Sequence, residues 1–249
     1  MSIKVITIDF WNTLFDSSGG TERNDLRLKI LINEIDKYGI VVKREEFESA
    51  LVSTWEFFNS IWFSEQRTPE PIESIGFFWN KLNLPEDKNA LDKLVRIFSE
   101  SILIHPPKLI RDVENILNVL SKNYKLGIVS DTGFSPGIVL RQLLKDSKIY
   151  DYFSEFSFSD ETGVSKPHEK AFLKILNSLD CKSNEAVHIG DIEKTDIVGA
   201  KNLRMKAILF AGDKTSTMIK HNNNTTISDF QASNWKEIPN LIEILSKTK

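Results

Sequence analysis

One apolar run, residues 3–10, stands alone at the start of the chain, and no comparable run follows until residues 125–129. It is short, carries β-branched residues and ends at a polar turn, which reads as a strand buried on both faces. Between about 21 and 104 the apolar residues fall at helical spacing instead. Phe47, Leu51, Trp55, Phe58 and Trp62 trace one face, and Leu91, Leu94 or Val95, Phe98 and Ile102 trace another. The breakers "SSGG", "TPEP", "LPED" and "HPP" divide this block into four helices. Beyond "HPP" the two periodicities alternate. Strands are expected at 125–129, near 156–158, at 186–189, at 206–210 and at an edge, 226–230. Helices are expected at 113–121, 136–144, 169–179, 196–203 and 238–245, with "HNNNTT" as a polar loop. This alternation predicts an α/β fold, a doubly wound, Rossmann-like parallel sheet that includes the first strand. The expected division is an α/β core of residues 1–16 and 106–249 with an all-helical insertion at 17–105.

Composition narrows the function classes. With 41% hydrophobic and 27% charged residues over 249 positions, the chain has the balance of a soluble globular protein. Its net charge of -3, with Lys and Arg scattered, leaves no footprint for a nucleic-acid backbone or an anionic membrane, so a small-molecule substrate is expected. Oligomeric state is silent. The lone Cys181 excludes an intrachain disulfide and a Cys-based zinc site and suits a reducing interior. With neither a secretory leader nor a long apolar span, a cytoplasmic protein is expected.

In an open α/β sheet, ligands bind beyond the carboxyl ends of the strands. Asp9 follows the first strand, and Ser130, Asp131 and Thr132 follow the second. "GVSKPHEKAF" supplies Lys166, and "VHIGDIEKTDIVGAK" supplies Asp191 and Asp196. An unpaired carboxylate ending a buried strand is costly, which marks Asp9 for chemistry. The others have plain local readings too: Asn12 and Thr13 as turn formers, Lys166 as a loop lysine, Asp196 as a helix N-cap.

Four ordered features, Asp9-x-x-x-Thr13, Ser130 after an apolar strand, Lys166-Pro167 and Gly190-Asp191-x-x-x-x-Asp196, resemble the motifs of the haloacid dehalogenase (HAD) superfamily. The insertion resembles the helical cap that many members carry. The resemblance implies a hydrolase in which Asp9 attacks as a carboxylate nucleophile and the covalent aspartyl intermediate is then hydrolysed. It implies that Lys166 keeps Asp9 ionised, and that Ser130, Asn12, Thr13, Asp131 and Lys166 bind the transferring group. Asp9, Asp191 and the backbone carbonyl of Trp11 would ligate Mg2+, with Asp196 directly or one shell out.

Trp11 departs from the pattern. Phosphatases of this superfamily carry an Asp there, which protonates the leaving group and then activates water. An indole keeps the backbone carbonyl but withholds the proton, a loss of roughly 10²–10⁴ in rate that falls hardest on alkyl phosphates. The 2-haloacid dehalogenases carry Tyr there and release a halide that needs no proton, yet they work without metal and lack the Gly-Asp pair kept here. Carboxylates clustered around a nucleophilic Asp repel one another unless a cation lies among them, so Mg2+-dependent phosphatase chemistry is the favoured expectation. A dehalogenase-like hydrolase and a catalytically degraded phosphate- or partner-binding module are the alternatives. Asp131 reads either as a substitute proton shuttle or as the cap of the turn before Pro136. In the aromatic-rich insertion Phe57, Phe63 and Trp79 read either as core or as an apolar wall over Asp9, with hinges near 17–20 and 105–107.

Overall fold

The computed structural model describes residues 2–213 and 226–247. Among them are six strands: β1 (Val5–Ile8), β2 (Lys125–Ser130), β3 (Phe153–Phe158), β4 (Ala186–Gly190), β5 (Lys206–Phe210) and β6 (Phe230–Ala232). They form one sheet in the order β3-β2-β1-β4-β5-β6, and every neighbouring pair is parallel. The order reverses at β1, whose Ile8 is level with Ile128 of β2 and Ile189 of β4. The carboxyl ends of the three central strands therefore lie side by side at the switch point of the sheet, the place where such sheets bind ligands.

Side chains alternate between two faces. Ile6, Ile8 and Phe10 pack against α5 (Val113–Leu120), α6 (Gly137–Asp146) and α10 (Ile238–Lys247). Val5 joins Val129, Ala207 and Leu209 against α8 (Glu169–Ser178) and α9 (Val198–Asn202) on the other face. Burial on both faces explains the largely apolar character of β1 and β4, in which Thr7 and His188 are the polar exceptions. A short helix, α7 (Ser159–Thr162), follows β3.

Between β1 and α5 lie four helices, α1 (Gly20–Ile35), α2 (Arg44–Glu65), α3 (Pro71–Lys81) and α4 (Lys88–Ile104). Pro71 opens α3 at a position where its missing N–H costs nothing, and Asp87 caps α4 by accepting from Ala90 N at 3.1 Å. The four share a hydrophobic cluster that includes Leu31, Phe47, Phe78, Leu94 and Phe98, and Phe134, from beyond β2, inserts into it. The two chain crossings into this block run side by side: Ile110 N donates to Leu14 O at 2.9 Å, and Asp16 N donates to Lys108 O at 2.9 Å. Among the described residues no helix is long and apolar enough to cross a membrane.

Several expected bounds move. The third strand starts at Phe153, ahead of the expected 156. The edge strand is Phe230–Ala232 rather than 226–230, and just ahead of it Asp229 is tied to β5 by its backbone N–H on Ala207 O at 2.9 Å and by its carboxylate, which accepts from Ala207 N at 2.9 Å and Lys201 Nζ at 2.8 Å. The expected helix 196–203 is a π-helical turn, Glu193–Ile197, running into α9. Of the expected polar loop, residues 221–225 lie outside the described residues.

Candidate active site

Asp9 follows β1 directly and is buried, with its backbone N–H bonded to Ile189 O at 2.9 Å. Lys166 Nζ reaches it from the segment before α8, donating to Asp9 Oδ1 and, at 2.6 Å, to Asp196 Oδ1. All three side chains are buried, so this is a desolvated ion network rather than a surface pair. Burial pushes the Asp9 carboxyl up to about 7 against the pull of Lys166. Burial alone would lower Lys166, but Asp196, Asp9 and Asp131 together hold its ammonium above the usual range. Asp196 goes the other way: against its burial, Lys166 and His188 keep it below the ordinary carboxylate range.

Asp191 completes an acidic group in which Asp9, Asp191 and Asp196 each bring one oxygen within 4.8 Å of the others. Burial, reinforced by the charges of Asp9 and Asp196, holds Asp191 well above the usual carboxylate range. The Asn12 amide donates to its Oδ2 at 3.2 Å, and Asn12, at φ 56°, is placed there by a left-handed turn. Asp196 has less to offer a cation, because Lys166 and His188 occupy Oδ1 and Ile192 N donates to Oδ2 at 2.9 Å. It is therefore no N-cap of α9. Gly190 makes this packing possible, since a Cβ there would lie 2.3 Å from Asp196 Cγ.

Ser130 ends β2 and is buried at the same edge. Thr13 is fully buried, and among the described residues its hydroxyl has no hydrogen-bond partner, as is also true of Ser165 and Thr195 beside Lys166 and Asp196. Buried polar atoms left unpaired in this way are rare in folded proteins. Trp11 is half-buried, its ring against Phe10 with centroids 5.1 Å apart, so the indole belongs to the edge of the sheet core.

Asp131 does not cap the turn before Pro136. One of its oxygens accepts from Lys166 N at 2.9 Å and the other from Trp62 Nε1 at 3.0 Å, while Asp160 receives the Gly137 N–H that begins α6. Burial pushes Asp131 up to about 6.

The aromatic residues of α2 and α3 sort themselves by contact. Trp79 is buried in the helical cluster and donates to Pro85 O at 3.0 Å, so it forms no wall over Asp9. Phe57 stacks on Phe77, and Phe63 is exposed against Trp62. Trp55 instead touches the loop after β2, 4.7 Å from Phe134 between ring centroids.

Sequence reasoning missed His188 and the partner of Asp131. His188 is fully buried between Thr7 and Asp196, and burial pushes its imidazole below the usual range. A histidine in the buried run "AVHIG" was the available signal, because a polar ring there has to find partners.

Among relatives, the glyceraldehyde 3-phosphate phosphatase of Pyrococcus abyssi is 29% identical over 84% of this chain and 81% of its own. The fold is similar to the crystal structure of a 2-haloacid dehalogenase from Pseudomonas syringae, at TM-score 0.71 and 19% identity over 97% of this chain and 99% of that one. It is also similar to that of a HAD phosphatase from Thermococcus onnurineus, at TM-score 0.64 and 21% identity over 96% and 98%. At those identities the fold is shared and the reaction is left open. The family model described as haloacid dehalogenase-like hydrolase matches residues 53–210, more than half the sequence, and the chain belongs to that family.

Proposed function

We propose that this hydrolase is a Mg2+-dependent phosphatase that acts on a small phosphorylated molecule through an aspartyl-phosphate at Asp9. The observation that carries the reading is Asp191: a buried carboxylate set beside Asp9 and Asp196, with its charged form disfavoured by all three circumstances. A hard divalent cation relieves that repulsion, and the donors fit it, being oxygens from Asp9, Asp191 and the Trp11 carbonyl. Bound there, Mg2+ supplies the positive charge that lets an anionic nucleophile meet an anionic phosphate.

The residues divide the rest of the work. Asp9 attacks phosphorus, so its Oδ–P bond forms as the bond to the leaving oxygen breaks, and water then returns phosphate and free Asp9. Lys166 offsets charge on Asp9 and the phosphoryl oxygens. The hydroxyls of Ser130 and Thr13 and the amide of Asn12 orient the phosphoryl group. Asp131, with both oxygens engaged, holds the Lys166 backbone, so it serves the site as an anchor and not as a shuttle. Residues 17–105 act as a cap over the core of 1–16 and 106–249, pivoting at the paired crossings, where Gly19 has φ 76° and a Cβ would lie 2.9 Å from His105 O.

The relative named for glyceraldehyde 3-phosphate supports a small phosphate ester as substrate. Trp11 favours activated esters, because a good leaving group departs without a proton. The test is turnover of p-nitrophenyl phosphate, acetyl phosphate, glyceraldehyde 3-phosphate and 2-chloropropionate, each with Mg2+ and with EDTA. Phosphate release abolished by EDTA is expected; halide release indifferent to EDTA would replace this reading with a dehalogenase.

A further inference from the structure

Thr7 and His188 are register partners on β1 and β4, and both are fully buried. Because side chains alternate along a strand, Thr7 shares its face of β1 with Asp9, and His188 shares its face of β4 with Gly190. The pair thus lies one step below the site, on the same side of the sheet. Thr7 Oγ1 is 2.9 Å from His188 Nδ1, and His188 Nε2 is 2.9 Å from Asp196 Oδ1. That same oxygen receives Lys166 Nζ, which goes on to Asp9. An edge of Phe172 closes the pocket, with centroids 5.0 Å apart and rings at 82°.

We propose that His188 is a positioning residue, which carries its proton on Nε2 and holds the Asp196 carboxylate at the angle that delivers Lys166 to Asp9. The tautomer follows from the partners. An ionised Asp196 only accepts, so the nitrogen facing it donates. The Thr7 hydroxyl, which has Val187 O at 3.4 Å as its other acceptor, then gives its one proton to the nearer Nδ1, which fixes the ring from below in the way outer partners fix metal-bound histidines. The empty place at Gly190 is the gap through which Asp196 reaches down to the imidazole. Without the ring, Asp196 keeps only the Ile192 N–H on one oxygen and Lys166 on the other, and the carboxylate is free to pivot between them.

The catalytic half of this inference rests on the phosphatase reading; the tautomer half does not. Long-range ¹H–¹⁵N spectra of the imidazoles at pH 7.5, with the His188 signal assigned by its loss in His188→Gln, are expected to show the neutral Nε2–H form. The Nδ1–H form would overturn the proposal. On p-nitrophenyl phosphate with Mg2+, His188→Leu is expected to lower kcat roughly 10- to 100-fold with little change in KM, the usual cost of losing an outer partner. His188→Gln keeps an amide N–H near the place of Nε2 and is expected to recover most of that loss. Equal kcat in two folded variants, checked by thermal unfolding, would also overturn it. A wild-type protein that turns over none of the phosphate esters would sink the phosphatase reading alone, since the imidazole spectrum still decides the tautomer.

Discussion

Trp62 donates its indole N–H to Asp131 across 3.0 Å, which joins α2 of the inserted helices to the loop at the mouth of β2. Asp131 holds the Lys166 backbone with its other oxygen, so the position of the helices is coupled to that of the site lysine. Two donors on two separate oxygens also explain a carboxylate here. An amide would turn its own N–H towards one of them.

Trp62→Phe and Asp131→Asn should therefore have similar effects. Each removes a half-buried hydrogen bond, at a cost of about 1 kcal/mol. Urea unfolding should show each single loss, and the double variant should lose less than their sum. Full additivity would show that the two side chains do not interact.

Lys166→Met leaves Asp9 and Asp196 buried without their shared cation. Removing one partner of a buried pair costs about 3–5 kcal/mol, and turnover should vanish with it. Asp9→Asn, by contrast, leaves Lys166 bonded to Asp196 and should stay folded while turnover falls roughly 10⁴-fold or more. Urea unfolding and p-nitrophenyl phosphate assays of the two variants separate these expectations.

The carboxylates set a pH signature. Asp9 is raised to about 7 and Asp191 is raised as well, so the folded protein binds protons that the unfolded chain has released. Stability from these two groups is greatest below the unfolded carboxylate range and falls as pH rises through their raised folded values, about 7 for Asp9. Asp196, held low, works in the opposite sense: its contribution is present above its unfolded value and is lost as pH falls through its folded one. A bound cation needs Asp9 and Asp191 ionised. The rise in Tm on adding Mg2+ should accordingly be larger at pH 8 than at pH 5.5, and an equal rise at both would count against this site.

Trp11→Asp should restore a proton source beside Asp9 and raise turnover of alkyl phosphates by roughly 10²-fold or more, with a smaller gain on p-nitrophenyl phosphate. Comparing the two substrates on the wild type and the variant checks this, and parallel gains would show that Trp11 does not limit the leaving group.

Much of the fold was legible because buried parallel strands leave short, mostly apolar runs, as in β1 and β4, and the four inserted helices are marked by their breakers. Asp9 and Asp191 were legible as residues at strand ends and Lys166 and Asp196 as parts of the superfamily motifs, and the structure brings the four together. What escaped depends on contacts across long stretches of sequence. The Trp62–Asp131 bond spans 69 residues and the Thr7–His188 pair spans 181, so no local pattern announces either. Trp79 stayed open between core and wall because it lies off the helical stripe; its burial and its bond to Pro85 O in the adjoining loop decide for the core.

The central claim is that Asp9 carries the phosphoryl group, and Trp11, which cannot activate water, should make that intermediate slow to leave. Acid quenching of the protein during turnover of p-nitrophenyl phosphate with Mg2+, followed by mass spectrometry, tests this most directly. The account predicts one phosphoryl group on the peptide containing Asp9, lost in Asp9→Asn and absent when EDTA is present. Phosphate released at full rate in Asp9→Asn, or from a wild-type protein whose Asp9 peptide is never modified, would contradict it.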